Sequence, residues 1–353
     1  MYTLKIQKLR NQIDRIDNTL EKVNLLTQAI RIADENEDIE WGYELRLELI
    51  NEEIDLAYST ESLPAFAWVL QAYDENPDLF SEEDFLWQYK WMMSELYDNP
   101  EVSREQIDAA LSDFEMRLLR NGYGRRAIHN EELSDALAQR DLDAVELALQ
   151  KVKASQRDDM SDCEACEMDA EVSAALLKSG YAAATEKALP LVEKQFTCAH
   201  VPLRTTVNLA YEGYRNGDME KALQMAQQAE QEIYKKERDS SILLSAIKLA
   251  TYFSYTDLPK AKEWIERYLP WADGPDNRRM FQLACHMEEA MRQFDPEELF
   301  DLELKESHNL FQGRQQYQAK EIAAHYRRLA EELAQRFDQR NGNNNFRKQL
   351  NMA

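Results

Sequence analysis

Asn208-Leu209-Ala210-Tyr211-Glu212-Gly213-Tyr214, then Asn216-Gly217-Asp218, then Ala222, Ala226 and Ala229, is the stretch that decides the fold. The three alanines are spaced four and then three apart, so they share one helix face and let a neighbouring helix approach closely. The Gly217-Asp218 pair ends one helix and caps the next. The stretch predicts two helices joined by a tight turn.

Working outward, small or apolar residues return in the same helical phase at Ala29, Ala67, Val145, Ala184, Ala222 and Ala261. The last four are separated by 39, 38 and 39 residues, and the 78 residues from Ala67 to Val145 make two periods with Gln106 between them. Asp141, Gly217 and Asp257 put a turn just ahead of three of these positions. A period near 39 residues built from two helices predicts hairpins that each bury a face on the next. Gly217 through Ala229 resembles the Gly-x-x-x-x-Ala-x-x-x-Ala-x-x-Ala core of a tetratricopeptide repeat. The expected fold is therefore all-α: a tetratricopeptide-like solenoid of seven or eight helical hairpins in one right-handed superhelix, without a sheet. It is expected to span residues 1–340 as a single domain, with 341–353 as a tail in which Asn341-Gly342-Asn343-Asn344-Asn345 forms a turn or frayed end.

Nine glycines and nine prolines in 353 residues agree with this, because an all-β fold needs many more tight turns. Breakers such as Pro64, Pro77, Pro100, Gly122, Gly124, Gly180, Pro202, Pro259, Gly274, Pro275 and Pro296 fall between the expected helices. Pro190 falls inside one, where it must bend the helix or occupy its first turn. No apolar run approaches the roughly 20 residues that cross a bilayer. Met1-Tyr2-Thr3-Leu4-Lys5 leads into polar helical sequence rather than an apolar signal core. With only four cysteines, this predicts a cytoplasmic protein in a reducing compartment.

The formal net charge is −24, from 66 acidic and 42 basic residues. Such a chain repels nucleic acid and anionic membranes and attracts a basic protein or peptide. The same acidity also serves simple solubility. The charge is concentrated: residues 34–101 hold 20 acidic residues against Arg46 and Lys90, with Trp41, Trp68, Trp87 and Trp91 among them. Carboxylates interleaved with flat rings can hold Lys or Arg by charge and by cation–π contact. The competing reading makes the rings core and the carboxylates a solvated face. The C-terminal segment is basic, so copies of the chain can also stack head to tail.

Asp162-Cys163-Glu164-Ala165-Cys166-Glu167, followed by Cys198-Ala199-His200 within the repeats at 160–235, has chemical potential. Cys163 and Cys166 share a helix face. Cys198 falls near the start of the next hairpin, beside the start of theirs. Three thiols with His200 as the fourth ligand suit a tetrahedral structural zinc. Reduced thiols packing two repeats, and a disulfide or redox role, stay open beside it. Asp162, Glu164 and Glu167 disfavour thiolates unless a cation is present. Cys285, beside His286, reads as core.

The chain resembles a group of bacterial tetratricopeptide-repeat proteins, largely without assigned activity, that carry Asp-Cys-x-Ala-Cys-Glu and, one repeat later, Cys-Ala-x-x-Pro. It matches at Asp162, Cys163, Ala165, Cys166, Glu167, Cys198, Ala199 and Pro202. Phe337 through Asn343 with Phe346 is similar to that group's closing segment, so the likeness spans about residues 85–350. A histidine often follows the proline in the group, where this chain has Leu203, and His200 lies outside the pattern. The resemblance implies a fold and an interaction role rather than a reaction.

No phosphate loop, dinucleotide fingerprint, nucleophile elbow or zinc-protease motif is present. The five histidines are scattered, and His129 after Arg125-Arg126 reads as polar surface. The expected function is thus a non-enzymatic binding scaffold. By helical phase, Gln88, Trp91, Glu95, Asn130, Ser134, Asp169, Ser173, Arg204, Tyr211 and Tyr214 would line its partner face. An immunity or antitoxin protein neutralising a basic toxin is a specialised form. A peptide-sensing regulator and a thiol-based redox switch are the alternatives.

Overall fold

A computed structural model describes residues 1–54, 56–236 and 239–350. The fold is all-helical, with 72% of residues in helices. The described chain divides into two compact units, Met1–Tyr97 with Ile107–Tyr123 and Asp239–Ser241, and Asp98–Gln106 with Gly124–Arg238 and Ile242–Ala353.

The first unit draws on α1 (Tyr2–Ile13), α2 (Thr19–Glu35), α3 (Ile39–Glu53), α4 (Ser62–Glu75), α5 (Leu86–Asp98) and α6 (Arg104–Arg120). Asn18 and Asp38 start α2 and α3 by accepting the backbone N–H groups of Glu21 and Trp41. Successive helices pack in chain order, α1 on α2, α2 on α3 and α3 on α4. Aromatic rings add to the core: Tyr89 lies 4.8 Å from Phe114, tilted, and meets Phe66 edge-on at 5.0 Å.

The second unit continues with α7 (Arg126–Gln139), α8 (Leu142–Ala154), α9 (Glu164–Ser179), α10 (Tyr181–Lys187), α11 (Leu189–Val192), α12 (Leu203–Arg215), α13 (Met219–Lys235), α14 (Leu243–Thr256), α15 (Leu258–Tyr268) and α16 (Arg278–Met291). The pairs α7–α8, α9–α10, α12–α13 and α14–α15 pack against one another, and α12 also packs on α14, which packs on α16. Pro190 stands in the first turn of α11, where its missing N–H costs nothing. Leu133, Ala136, Val145, Ala148, Val152 and Ala174 form one buried cluster that joins α7, α8 and α9.

The spacing has a local cause. Val145, Ala184, Ala222 and Ala261 are all buried, and each lies four residues beyond the residue that caps its helix: Asp141, Gly180, Asp218 and Asp257. Asp141, Asp218 and Asp257 each accept a backbone N–H of the first turn. The first full turn of each of these helices is thus pinned to its partner. Two expected positions are out of register. Gln106 is exposed and Ile107 is buried in its place, four residues beyond the capping Ser103. Ala67 is exposed as well, because α4 buries Ala65, Phe66, Val69 and Ala72 instead.

One period after Ala261 the chain makes no helix. Phe300 lies at the centre of β1 (Leu299–Asp301), paired antiparallel with β2 (Gln316–Gln318) so that Phe300 faces Tyr317 and both rings are buried. This two-stranded ribbon corrects the expectation of no sheet. The tail also folds: α17 (Ala319–Asn341) ends at Gly342 in the left-handed region, and α18 (Asn345–Leu350) follows with Phe346 buried. Residues 341–350 therefore form a turn and a docked helix rather than a frayed end. Their anchors lie at the start of the same unit, where Asn343 bonds Gln139 at 2.8 Å and Gln349 bonds the Ala138 carbonyl at 3.0 Å.

Candidate metal centre at two helix starts

Cys163 is the N-cap of α9, and its sulfur accepts the backbone N–H of Cys166 at 3.4 Å. Both thiols therefore sit in the first turn, at the positive end of the helix dipole. Cys198 lies in the turn that leads into α12. Its own N–H reaches the Val201 carbonyl at 2.9 Å, which folds 198–201 back on itself. The backbone N–H groups of His200 and Val201 then point at the Cys198 sulfur. The Cys166 and Cys198 sulfurs are 3.3 Å apart, and all three sulfurs lie within 4.8 Å of one another.

Among the described residues no other His, Cys, Asp or Glu brings a ligand atom into this group. His200, expected as the fourth ligand, is outside it, because the turn presents its backbone N–H to the sulfur rather than its ring. Cys163 is exposed, while Cys166 and Cys198 are half-buried, so the cluster opens to solvent on one side.

Protons are shared unequally here. The bond between the Cys166 and Cys198 sulfurs, with the His200 and Val201 N–H groups, brings the Cys198 pKa down to about 5. Cys166 is pushed up by the same bond and by burial. Two bare thiolates 4.8 Å apart would repel by about 3 kcal/mol at an effective dielectric constant of about 20, so without a cation the cluster keeps protons.

The surrounding charges are arranged to tolerate anions. Arg204 bonds Asp169 at 2.6 Å, and its positive charge also acts on Cys166 and Cys198. The Asp169 carboxylate is buried and takes the Thr205 hydroxyl as well. Glu167, a potential antagonist of thiolates, is held elsewhere by two Arg126 bonds at 2.8 Å and by Asn130 at 3.1 Å. Burial works against its charge, but these bonds outweigh it and hold Glu167 below the usual carboxylate range. Arg157 also pairs with Glu167 and bonds the Asp162 carbonyl at 2.5 Å. In the sequence Arg126 stood out only as a neighbour of His129, and Arg157 not at all. The only signal was their place near helix ends, ahead of an acidic first turn.

Of the ten residues expected on a partner face, Gln88, Asn130, Asp169 and Tyr211 are buried. Gln88 is buried and bonds Asn51, and Glu95 accepts from Ser59. Trp91 is half-buried, 6.4 Å from the Trp87 ring. In the second unit, Asn130, Asp169 and Arg204 belong to the networks just described. Tyr211 is buried with its hydroxyl on Glu289 at 2.7 Å, and Tyr214 stacks on Tyr255 at 4.9 Å. Ser134 is exposed and Ser173 half-buried. His129 pairs with Glu132 at 3.2 Å.

The aromatic, acidic third holds cations as its chemistry suggests, but they are the chain's own. Arg46 covers Trp68 at 4.0 Å, Lys90 covers Trp87 at 4.5 Å and Arg10 covers Trp41 at 5.2 Å. Buried Glu82 takes Arg117, Arg120 and Asn121, and buried Glu53 caps the start of α4 through Thr60, Glu61 and Ser62.

No known protein family, curated protein or solved structure matches this chain.

Proposed function

We propose that the protein is a non-enzymatic scaffold of the tetratricopeptide type that binds a basic protein or peptide. The repeat of buried positions, each four residues beyond a helix cap and 38 or 39 residues from the next, carries this reading. Stacked hairpins of that kind present side chains at regular intervals and suit recognition of an extended or helical segment. The partner's charge follows from what the first unit leaves uncovered. Arg10, Arg46 and Lys90 lie over tryptophans and Arg117 and Arg120 meet buried Glu82, whereas Glu35, Glu37, Glu40, Asp78, Glu83 and Asp84 stand exposed. Recognition is then led by charge, with exposed Trp87 beside Trp91 as an aromatic surface.

The test is to identify bound proteins by mass from the cells that make this chain, then to measure the purified pair at two salt concentrations. A basic partner whose association slows as salt rises supports the proposal, since screening shortens the reach of charge from about 10 Å at 0.1 M to about 3 Å at 1 M. Reversing Glu37, Asp78 and Glu83 to lysine should slow association further. An affinity indifferent to salt and to that reversal would overturn it.

A further inference from the structure

We propose that Cys163, Cys166 and Cys198 hold one zinc ion through three thiolates, with the fourth coordination position facing solvent. This goes beyond the scaffold reading and does not depend on it.

The geometry carries the inference. Zinc binds thiolate at about 2.3 Å, and a tetrahedral arrangement then spaces sulfurs about 3.8 Å apart. The sulfurs here are separated by 3.3 Å at the closest pair and by no more than 4.8 Å overall, so small side-chain adjustments bring all three onto one ion. Backbone N–H groups already point at two of them: Cys166 N–H at Cys163, and His200 and Val201 N–H at Cys198. Such bonds orient sulfur lone pairs and stabilise thiolate, the role of outer partners around a metal. Three thiolates and one zinc carry a net charge of −1, and Arg204 stands beside Cys166 and Cys198 to meet it.

Simple packing of reduced thiols explains these features less well. Apolar packing calls for sulfur buried against carbon, yet Cys163 is exposed and its sulfur is turned to a helix start. Cys285 shows the contrast: it stands apart from the cluster, and burial pushes its pKa up to about 12. The fourth position has no protein ligand among the described residues, so water or an added monodentate ligand occupies it. Such an open position is what distinguishes a reactive zinc from a closed structural one.

The experiment uses the full chain, reduced and freed of metal, titrated with zinc and separately with cobalt. Uptake of one ion per chain is expected, with a cobalt spectrum of tetrahedral thiolate type that changes when imidazole is added. Cys163→Ser, Cys166→Ser and Cys198→Ser should each weaken zinc binding by at least about tenfold. Cys285→Ser and His200→Ala should leave it unchanged, and helix content measured beside each titration shows that the variants are folded. Zinc should also shield the three thiols, but not Cys285, from alkylation of the folded chain. Failure of the reduced wild-type chain to take up zinc would overturn the site. So would uptake unaffected by the three serine variants, or a Cys166–Cys198 disulfide forming with diamide as readily with zinc present as without it. A cobalt spectrum indifferent to imidazole would overturn the open position.

Discussion

The guanidinium of Arg46 lies 4.0 Å from the centre of the Trp68 ring while two of its nitrogens bond the Asp34 carboxylate at 3.0 and 2.8 Å. A third contact runs from the same side chain to the Gly42 carbonyl at 3.1 Å. One buried cation thus ties the end of α2 to α3 and α4. Arg46→Ala should cost about 2 kcal/mol in urea unfolding, because it removes charge-assisted bonds and the stacked face together. Lysine should recover under half of that, since an ammonium cannot bond both oxygens in one plane. Gly42→Ala tests the same spot from below. Its new Cβ would meet Trp68 at 3.0 Å and Arg46 at 3.2 Å, and this crowding should outweigh the helix preference of alanine.

A second prediction concerns Gly213, where α12 comes close to α10 and α13. A Cβ there would lie 2.6 Å from the Tyr181 hydroxyl and 3.1 Å from the Ala222 Cβ. Alanine is favoured over glycine in a helix by about 1 kcal/mol, but the clash is with a buried ring that has little room to turn. Gly213→Ala should therefore destabilise the fold by about 1–2 kcal/mol net. Removing the offending oxygen with Tyr181→Phe should return most of the loss, and the double-mutant cycle measures the coupling.

What the sequence made legible was the chemistry written into helix starts. Asp141, Asp218 and Asp257 announce caps, and the small residue four places on announces close packing, so the helical class and the hairpin spacing could be read directly. The meeting of Cys163, Cys166 and Cys198 followed from the same phase. Turns were harder. The sequence Cys198-Ala199-His200 suggests a histidine ligand, yet the backbone reversal at Val201 sends the amide to the sulfur instead. Leu299–Asp301 is too short to show alternation, so the β ribbon left no periodic mark. The burial of Gln88, Asn130, Asp169 and Tyr211 was hidden for another reason. Phase places a side chain on a helix face, but whether that face meets solvent or another helix depends on residues 35 to 80 positions away, as with Tyr211 and Glu289.

Lys248 supplies a prediction about pH. Its ammonium bonds Asn208 at 2.7 Å and lies 5.0 Å from the Tyr211 ring centre, within a group that includes Glu212, Glu289, Arg140 and Arg215. Burial lowers its pKa to about 8 from the ordinary 10.5, and the two arginines add to this against the pull of Glu212 and Glu289. A lysine depressed on folding binds fewer protons folded than unfolded, so stability rises with pH between about 8 and 10.5. Below pH 8 the charged group opposes folding in full. Lys248→Met should thus be more stable than wild type at pH 7, by about 2 kcal/mol after allowing for partial exposure. That advantage should shrink as pH rises past 8 and be nearly gone near 10.5. Denaturant titrations of both proteins at pH 7 and pH 9.5 would show it, and a difference constant with pH would mean that packing alone separates them.

The last prediction concerns the C-terminal helix, whose first turn is held by a single carboxylate. Asp338 is 1% exposed, and its two oxygens accept the backbone N–H groups of Phe346 and Arg347 at 2.9 and 3.1 Å. Its own carbonyl takes the Asn343 N–H at 3.1 Å, closing the turn at Gly342. The Arg347 side chain adds an ion pair at 3.2 Å, but that arginine is 59% exposed and contributes little. The backbone bonds matter more, because they satisfy the first turn of a helix too short to hold itself in water. Asp338→Ala should cost about 1–3 kcal/mol, the loss of a cap with buried donors left unpaired. Most of the effect should be local, so hydrogen exchange at 343–350 should quicken well before global unfolding does. Arg347→Ala should leave that exchange nearly unchanged. Phe346→Ala should quicken it for a different reason, since Phe346 stacks on Phe337 at 4.6 Å and meets Phe281 at 5.2 Å. If Asp338→Ala left amide protection intact, the ring packing of Phe346 and the bonds of Asn343 and Gln349 would be what anchors α18, and the carboxylate only their neighbour.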